Sequence, residues 1–103
     1  MIIHEASQRF HKPIIITENG IADSRDTQRG AFIQDHIAAM KKAMNEGVDV
    51  RGYFHWSLLD NFEWDSGFGP RFGLVEVDYK TMERKIRPSA LAYKKIINSE
   101  SHL

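Results

Sequence analysis

Residues Ile14-Ile15-Ile16-Thr17 form an unbroken β-branched run whose first three members are all apolar. Crowding at Cβ favours extended backbone, and the missing polar alternation marks a strand expected to be covered on both faces, as in a parallel sheet. Lys12-Pro13 stops whatever precedes it, because the residue before a proline avoids helical backbone. Glu18-Asn19-Gly20 ends the run with turn chemistry. A doubly covered strand needs helices around it.

Ile2 or Ile3, Ala6 and Phe10 recur at helical spacing and predict a short amphipathic helix over residues 2–11. After a polar loop from Asp23 to Gln28, Ile33, Ile37, Met40 and Met44 step by four, three and four, the stripe of a second helix. Asp26 or Thr27 is its expected N-cap and Gly47 its C-terminal cap. Val50 to Trp56 is the next strand, rich in β-branched and aromatic residues. A long loop over 57–73 follows, then a small hairpin from Leu74-Val75-Glu76-Val77-Asp78-Tyr79 across Lys80-Thr81-Met82-Glu83. Pro88 opens a last helix carrying Ala90, Tyr93 and Ile97. Strand, helix and strand in this order predict a βαβ crossover with parallel strands. Parallel strands end on one edge of their sheet, so Glu18 and Trp56 are expected side by side where α/β enzymes place their chemistry.

The 103 residues set a ceiling of one small domain. The 14 basic and 14 acidic side chains cancel, so nothing argues for a nucleic-acid or membrane-surface partner. Without cysteine there is neither a disulfide framework nor a thiolate metal site. The apolar runs are too short to span a membrane, and Met1-Ile2-Ile3-His4-Glu5 does not read as a signal peptide, which makes a cytoplasmic location the default expectation. The histidines show no ligand spacing. Gly67-Phe68-Gly69 lacks the helix start and Lys-Ser/Thr of a phosphate cradle. No metal or cofactor is expected.

A carboxylate at the end of a buried strand is held rigidly before a loop-lined cavity. Glu18 is therefore read either as a nucleophile or as a loop carboxylate capping a neighbour. Trp56, Glu63 and Trp64 fall within nine residues. They form a sugar cradle, with aromatic faces for sugar C–H groups and a carboxylate for paired hydroxyls, or else they are two core tryptophans and a surface glutamate. His55 points away from Trp56 in a strand and is read as structural.

Ile16-Thr17-Glu18-Asn19-Gly20, together with His55-Trp56-Ser57-Leu58-Leu59-Asp60-Asn61-Phe62-Glu63-Trp64, resembles glycoside hydrolase family 1, the β-glucosidases, β-galactosidases and 6-phospho-β-glycosidases. The likeness continues through Gly67, Arg71-Phe72-Gly73-Leu74, Val77-Asp78-Tyr79 and Pro88-Ser89-Ala90. Gly20-Ile21-Ala22-Asp23 and Asp49-Val50-Arg51-Gly52-Tyr53 look most similar to its archaeal and thermophilic branch.

The resemblance implies an α/β fold in which residues 1–103 are the C-terminal part of a (β/α)₈ TIM barrel, supplying parallel strands seven and eight with flanking helices and a small hairpin. It implies Glu18 as the catalytic nucleophile and Trp56 as the ring under the sugar. Glu63 falls on the carboxylate for the C4 and C6 hydroxyls, Trp64 on the donor to the C3 hydroxyl, and Phe72 on a pocket wall. A cis peptide between Trp56 and Ser57 is a further implication. Glu63 favours unphosphorylated sugars, since its charge repels a phosphate. The implied substrate is a β-linked glucoside or galactoside.

Retaining hydrolysis takes a second carboxyl group as acid/base. The family carries it in a Thr-x-Asn-Glu-Pro motif that this sequence lacks. The expected partner is an N-terminal barrel half, without which the chain is inactive and poorly folded or self-associated. The other readings are a non-catalytic remnant and a small sugar-binding or interaction module.

Overall fold

A computed structural model describes residues 2–100. The chain opens with helix α1 (Ile2–Phe10) and strand β1 (Ile14–Asn19), then helix α2 (Arg29–Asn45) and strand β2 (Val50–His55). A loop with one 3-10 turn (Trp64–Ser66) leads to strands β3 (Val75–Val77) and β4 (Arg84–Ile86) and to helix α3 (Pro88–Glu100). β1 and β2 pair in parallel, and β3 and β4 form an antiparallel hairpin. The expected element order and the parallel crossover are therefore both present.

Two clusters hold these elements together. Ile33 and Ile37 of α2 meet Leu74, with Tyr53, Tyr93 and Ile96 packed around them. Ala43, Val48 and Val50 meet Ile14 and Ile16 of β1 and Ile3 of α1. Gly47 follows the end of α2 at φ 100°, the left-handed cap expected there.

Three readings change. Met44 is 42% exposed and Ile97 49% exposed, while Ala43 and Ile96 turn inward. A stripe steps by 3.6 residues, so a spacing count drifts by one position toward the helix end. Asp26 and Thr27 do not cap α2. Gln28 is the N-cap residue, and the Asp23 carboxylate accepts from the Gln28 and Arg29 amides at 2.8 and 3.0 Å. The side chain of Asp26 is drawn instead to Ser89, where Oδ2 accepts from the amide at 2.9 Å and Oδ1 from the hydroxyl at 2.6 Å. It thus caps the start of α3 from 63 residues away.

Cover on both faces of β1 is the third. Ile14 and Ile16 pack toward the helices, but Ile15 on the opposite face is 55% exposed and Phe54 beside it on β2 is 61% exposed. The described residues contain no layer over this face. The molecule is correspondingly a slab, 18 Å in its shortest dimension, with a radius of gyration of 15.4 Å. A compact chain of this length has about 13 Å.

Bare apolar sheet surface, with both edges of the β1–β2 pair unpaired among the described residues, favours association. The chain by itself is expected to sediment above its 11.9 kDa monomer mass at micromolar concentration. Ile15→Glu with Phe54→Glu should return it to monomer. A wild-type chain that is monomeric with a sharp cooperative melt would contradict this.

Candidate active site

The C-terminal ends of β1 and β2 bring distant residues to one edge. Glu18, Asn19 and Gly20 from the first strand end meet Trp56, Glu63 and Phe72 around a cleft of about 330 Å³. Close approach is built into the backbone. The Trp56 amide donates to the Asn19 carbonyl at 2.9 Å, and a Cβ at Gly20 would overlap the Trp56 carbonyl oxygen. Only glycine admits the two strand ends at this separation.

Trp56 is 36% exposed, and its indole Nε1 donates to Glu63 Oε1 at 3.3 Å. That bond fixes the carboxylate at the rim and leaves its other oxygen open. The Trp56–Ser57 peptide is cis, as the family likeness implies. The Ser57 amide donates to the Phe72 carbonyl at 3.0 Å and the Leu74 amide to the Ser57 carbonyl at 2.8 Å. This pairing brings Phe72 to the cleft wall beside Trp56. The structure thus gathers Glu18, Trp56, Glu63 and Phe72. Trp64 it does not bring in: the side chain is 81% exposed on the 3-10 turn and lies outside the cleft lining.

His55 faces the helices, its ring centroid 6.0 Å from that of Tyr93. Neither ring nitrogen meets a hydrogen-bond partner. Burial, and then the charge of Arg29, push its pKa down to about 4, so it is neutral at pH 7. This is the structural histidine that alternation along the strand predicts. Among the described residues no group of three or more His, Cys, Asp or Glu is arranged to hold a metal ion, and no helix is long and apolar enough to cross a membrane.

Residues that sequence reasoning missed hold the loop in shape. Asp60 is buried, and its carboxylate accepts from Arg87 at 2.7 and 3.1 Å, from Arg71 at 3.1 Å, and from the Gly73 and Val77 amides at 3.0 and 3.2 Å. Arg71 also donates to the Val77 carbonyl and stands 4.5 Å from the centre of the Tyr79 ring. The Arg71 backbone carbonyl accepts from Arg29, which in turn pairs with Asp26. Phe72, between Arg71 and Gly73, is therefore held from both sides. The charges give no local signal, because Asp60 and Arg87 lie 27 positions apart.

The sequence profile of glycosyl hydrolase family 1 matches residues 1–102. A β-galactosidase of Sulfolobus acidocaldarius is 55% identical over 91 residues, which cover 88% of this chain and 18% of that protein. The structure is similar to the hyperthermophilic β-glucosidase of Pyrococcus furiosus, with TM-score 0.93 and 48% identity over 95% of this chain and 21% of the other. It is also similar to a family 1 β-glucosidase of Thermotoga maritima in complex with isofagomine lactam, with TM-score 0.87 and 36% identity over 94% of this chain and 24% of the other. The chain belongs to glycosyl hydrolase family 1. It spans about a fifth of the length of these relatives.

Burial alone raises the pKa of Asp60, but the Arg87 hydrogen bonds and the Gly73 and Val77 amides outweigh it and hold the carboxyl below its ordinary 3.8. A depressed folded pKa gives stability that is complete above the unfolded value and is lost as pH falls through the folded one. Asp60→Asn leaves Arg87 buried without its counter-charge. It is expected to lower the unfolding free energy at pH 7 by about 3–5 kcal/mol. It should also flatten the loss of stability below pH 4, as measured by urea titration across pH. Equal acid limbs for wild type and variant would remove Asp60 from this role.

Proposed function

We infer that residues 1–103 are the C-terminal part of a (β/α)₈ barrel, with β1 and β2 as its seventh and eighth strands, and that the complete site is that of a retaining β-glycosidase. The observation that carries this reading is the cleft at the strand ends. There a carboxylate, an aromatic ring with a bound carboxylate beside it, and an aromatic wall converge from positions 18, 56, 63 and 72. That is the composition of a sugar site with a nucleophile at its edge. The relatives named β-galactosidase and β-glucosidase support glucosides and galactosides as the substrate class.

In this reading Trp56 and Phe72 take the apolar faces of the sugar, and Glu63 accepts from its hydroxyls. Glu18 attacks the anomeric carbon from the face opposite the leaving group. The glycosidic C–O bond breaks as the Glu18 ester forms, and the leaving oxygen takes a proton from a second carboxyl group. Water then attacks the same carbon, giving its proton to that group and releasing Glu18. This chain carries the nucleophile and the sugar contacts. The acid/base comes from an N-terminal barrel half, whose strands also cover Ile15 and Phe54. Trp64 joins as a hydroxyl donor once that half is in place. No cofactor takes part.

An activated 2-deoxy-2-fluoro-β-glucoside tests the nucleophile apart from the acid, since a good leaving group needs little protonation. Intact mass is expected to show one adduct, mapped to Glu18, when an N-terminal family 1 barrel part is supplied. Glu18→Gln should show none. No adduct on the wild-type chain with the partner demonstrably bound would replace this reading with that of a non-catalytic remnant.

A further inference from the structure

The end of β1 carries one more residue than its partner strand. Ile16 pairs with Tyr53 and Asn19 with His55, so three steps on β1 answer two on β2. In an unbroken strand Glu18 would share the face of Ile14 and Ile16, which points toward the helices. The extra residue reverses the order. Asn19 occupies the helix-facing side, where its Oδ1 accepts from the Tyr53 hydroxyl at 2.8 Å. Glu18 is left to the open side with Trp56.

Glu18 has room to go the other way. It also borders a second cavity, of about 500 Å³, lined on the helix side by Ile16, His36, Met40 and Tyr53 among others. A carboxylate turned into that space would be lost to the sugar cleft. What separates the two arrangements is Asn19. Its side chain is tied to Tyr53 and its backbone carbonyl accepts from the Trp56 amide at 2.9 Å. The Tyr53 ring is itself seated against Tyr93, with centroids 6.4 Å apart in an edge-on contact.

We propose that Tyr53 and Asn19 form a latch that keeps the extra residue of β1 in place and so aims Glu18 into the cleft beside Trp56. Tyr53 stands outside the cleft lining and is a positioning residue, whereas Asn19 borders the cleft and carries the effect of Tyr53 to Glu18 through backbone and side-chain geometry. The catalytic consequence rests on the reading of Glu18 as nucleophile, whereas the latch itself is a property of the strand ends.

Tyr53→Phe keeps the ring and removes only the hydroxyl. Asn19→Ala removes the acceptor, and Asn19→Asp restores one. Amide hydrogen exchange is read in the 103-residue chain at Trp56, with Val48, whose amide donates to the Ala43 carbonyl, as the internal reference. Tyr53→Phe and Asn19→Ala are expected to speed exchange at Trp56 at least about tenfold relative to Val48, and Asn19→Asp to retain the protection. Inactivation by the fluoroglycoside is then followed with the N-terminal barrel part present. Tyr53→Phe should slow the maximal rate by about tenfold to 10²-fold, the range for a reacting group displaced by an ångström. The half-saturating concentration should stay within about twofold, because the sugar contacts are intact.

Unprotected Trp56 in the wild type, or equal protection in wild type and Tyr53→Phe, overturns the latch. Lost protection with an unchanged inactivation rate overturns its role in aiming Glu18. Tyr53-dependent protection in a wild-type chain that takes no label supports the latch and overturns the nucleophile reading instead.

Discussion

The Asp60 carboxylate accepts five hydrogen bonds from four residues, and most of the loop geometry depends on it. Its donors come from the loop, from the hairpin and from the residue before α3. A buried charge without partners costs several kcal/mol, so the arrangement holds together or fails as one unit. Removing the carboxylate would leave Arg87 uncompensated and release the Gly73 amide. Phe72 would then lose the anchor on one side of the cleft.

A second polar tie works in the same way at the other end of the loop system. Arg29 at the start of α2 donates to the Asp23 and Arg71 carbonyls and to the Asp26 carboxylate, and Asp26 holds the first turn of α3. The apolar clusters are small, so these ion pairs carry a large share of the specificity of the fold. They connect segments that hydrophobic patterning alone would leave free to slide. The cleft lies at the ends of strands whose spacing is set by the Asn19 carbonyl and Gly20.

The open face of the sheet is the opposite case. Ile15 and Phe54 are apolar yet exposed, and the sheet edges are unpaired among the described residues. A strand of three consecutive isoleucines is stable only with cover on both sides. The helices here supply one side, and the slab shape follows from the want of the other.

Much of this was legible in the sequence. The β-branched run at 14–17, the stripe of α2, Gly47 and Pro88 each act over a few residues, so local pattern placed the helices and the parallel strands. The order of the elements put Glu18 and Trp56 on one edge, and the likeness to a known family marked Glu63 and Phe72. Other features depended on partners far apart in the chain. Asp26 left α2 for Ser89, Asp60 found Arg87, and Ala43 took the place expected of Met44. The face that Glu18 presents was decided by one unpaired residue in the strand register, which no periodicity reveals. Alternation and spacing are properties of a single segment, and the sequence determined those. Register, burial and ion pairing arise only when segments meet, and only the tertiary structure could decide them.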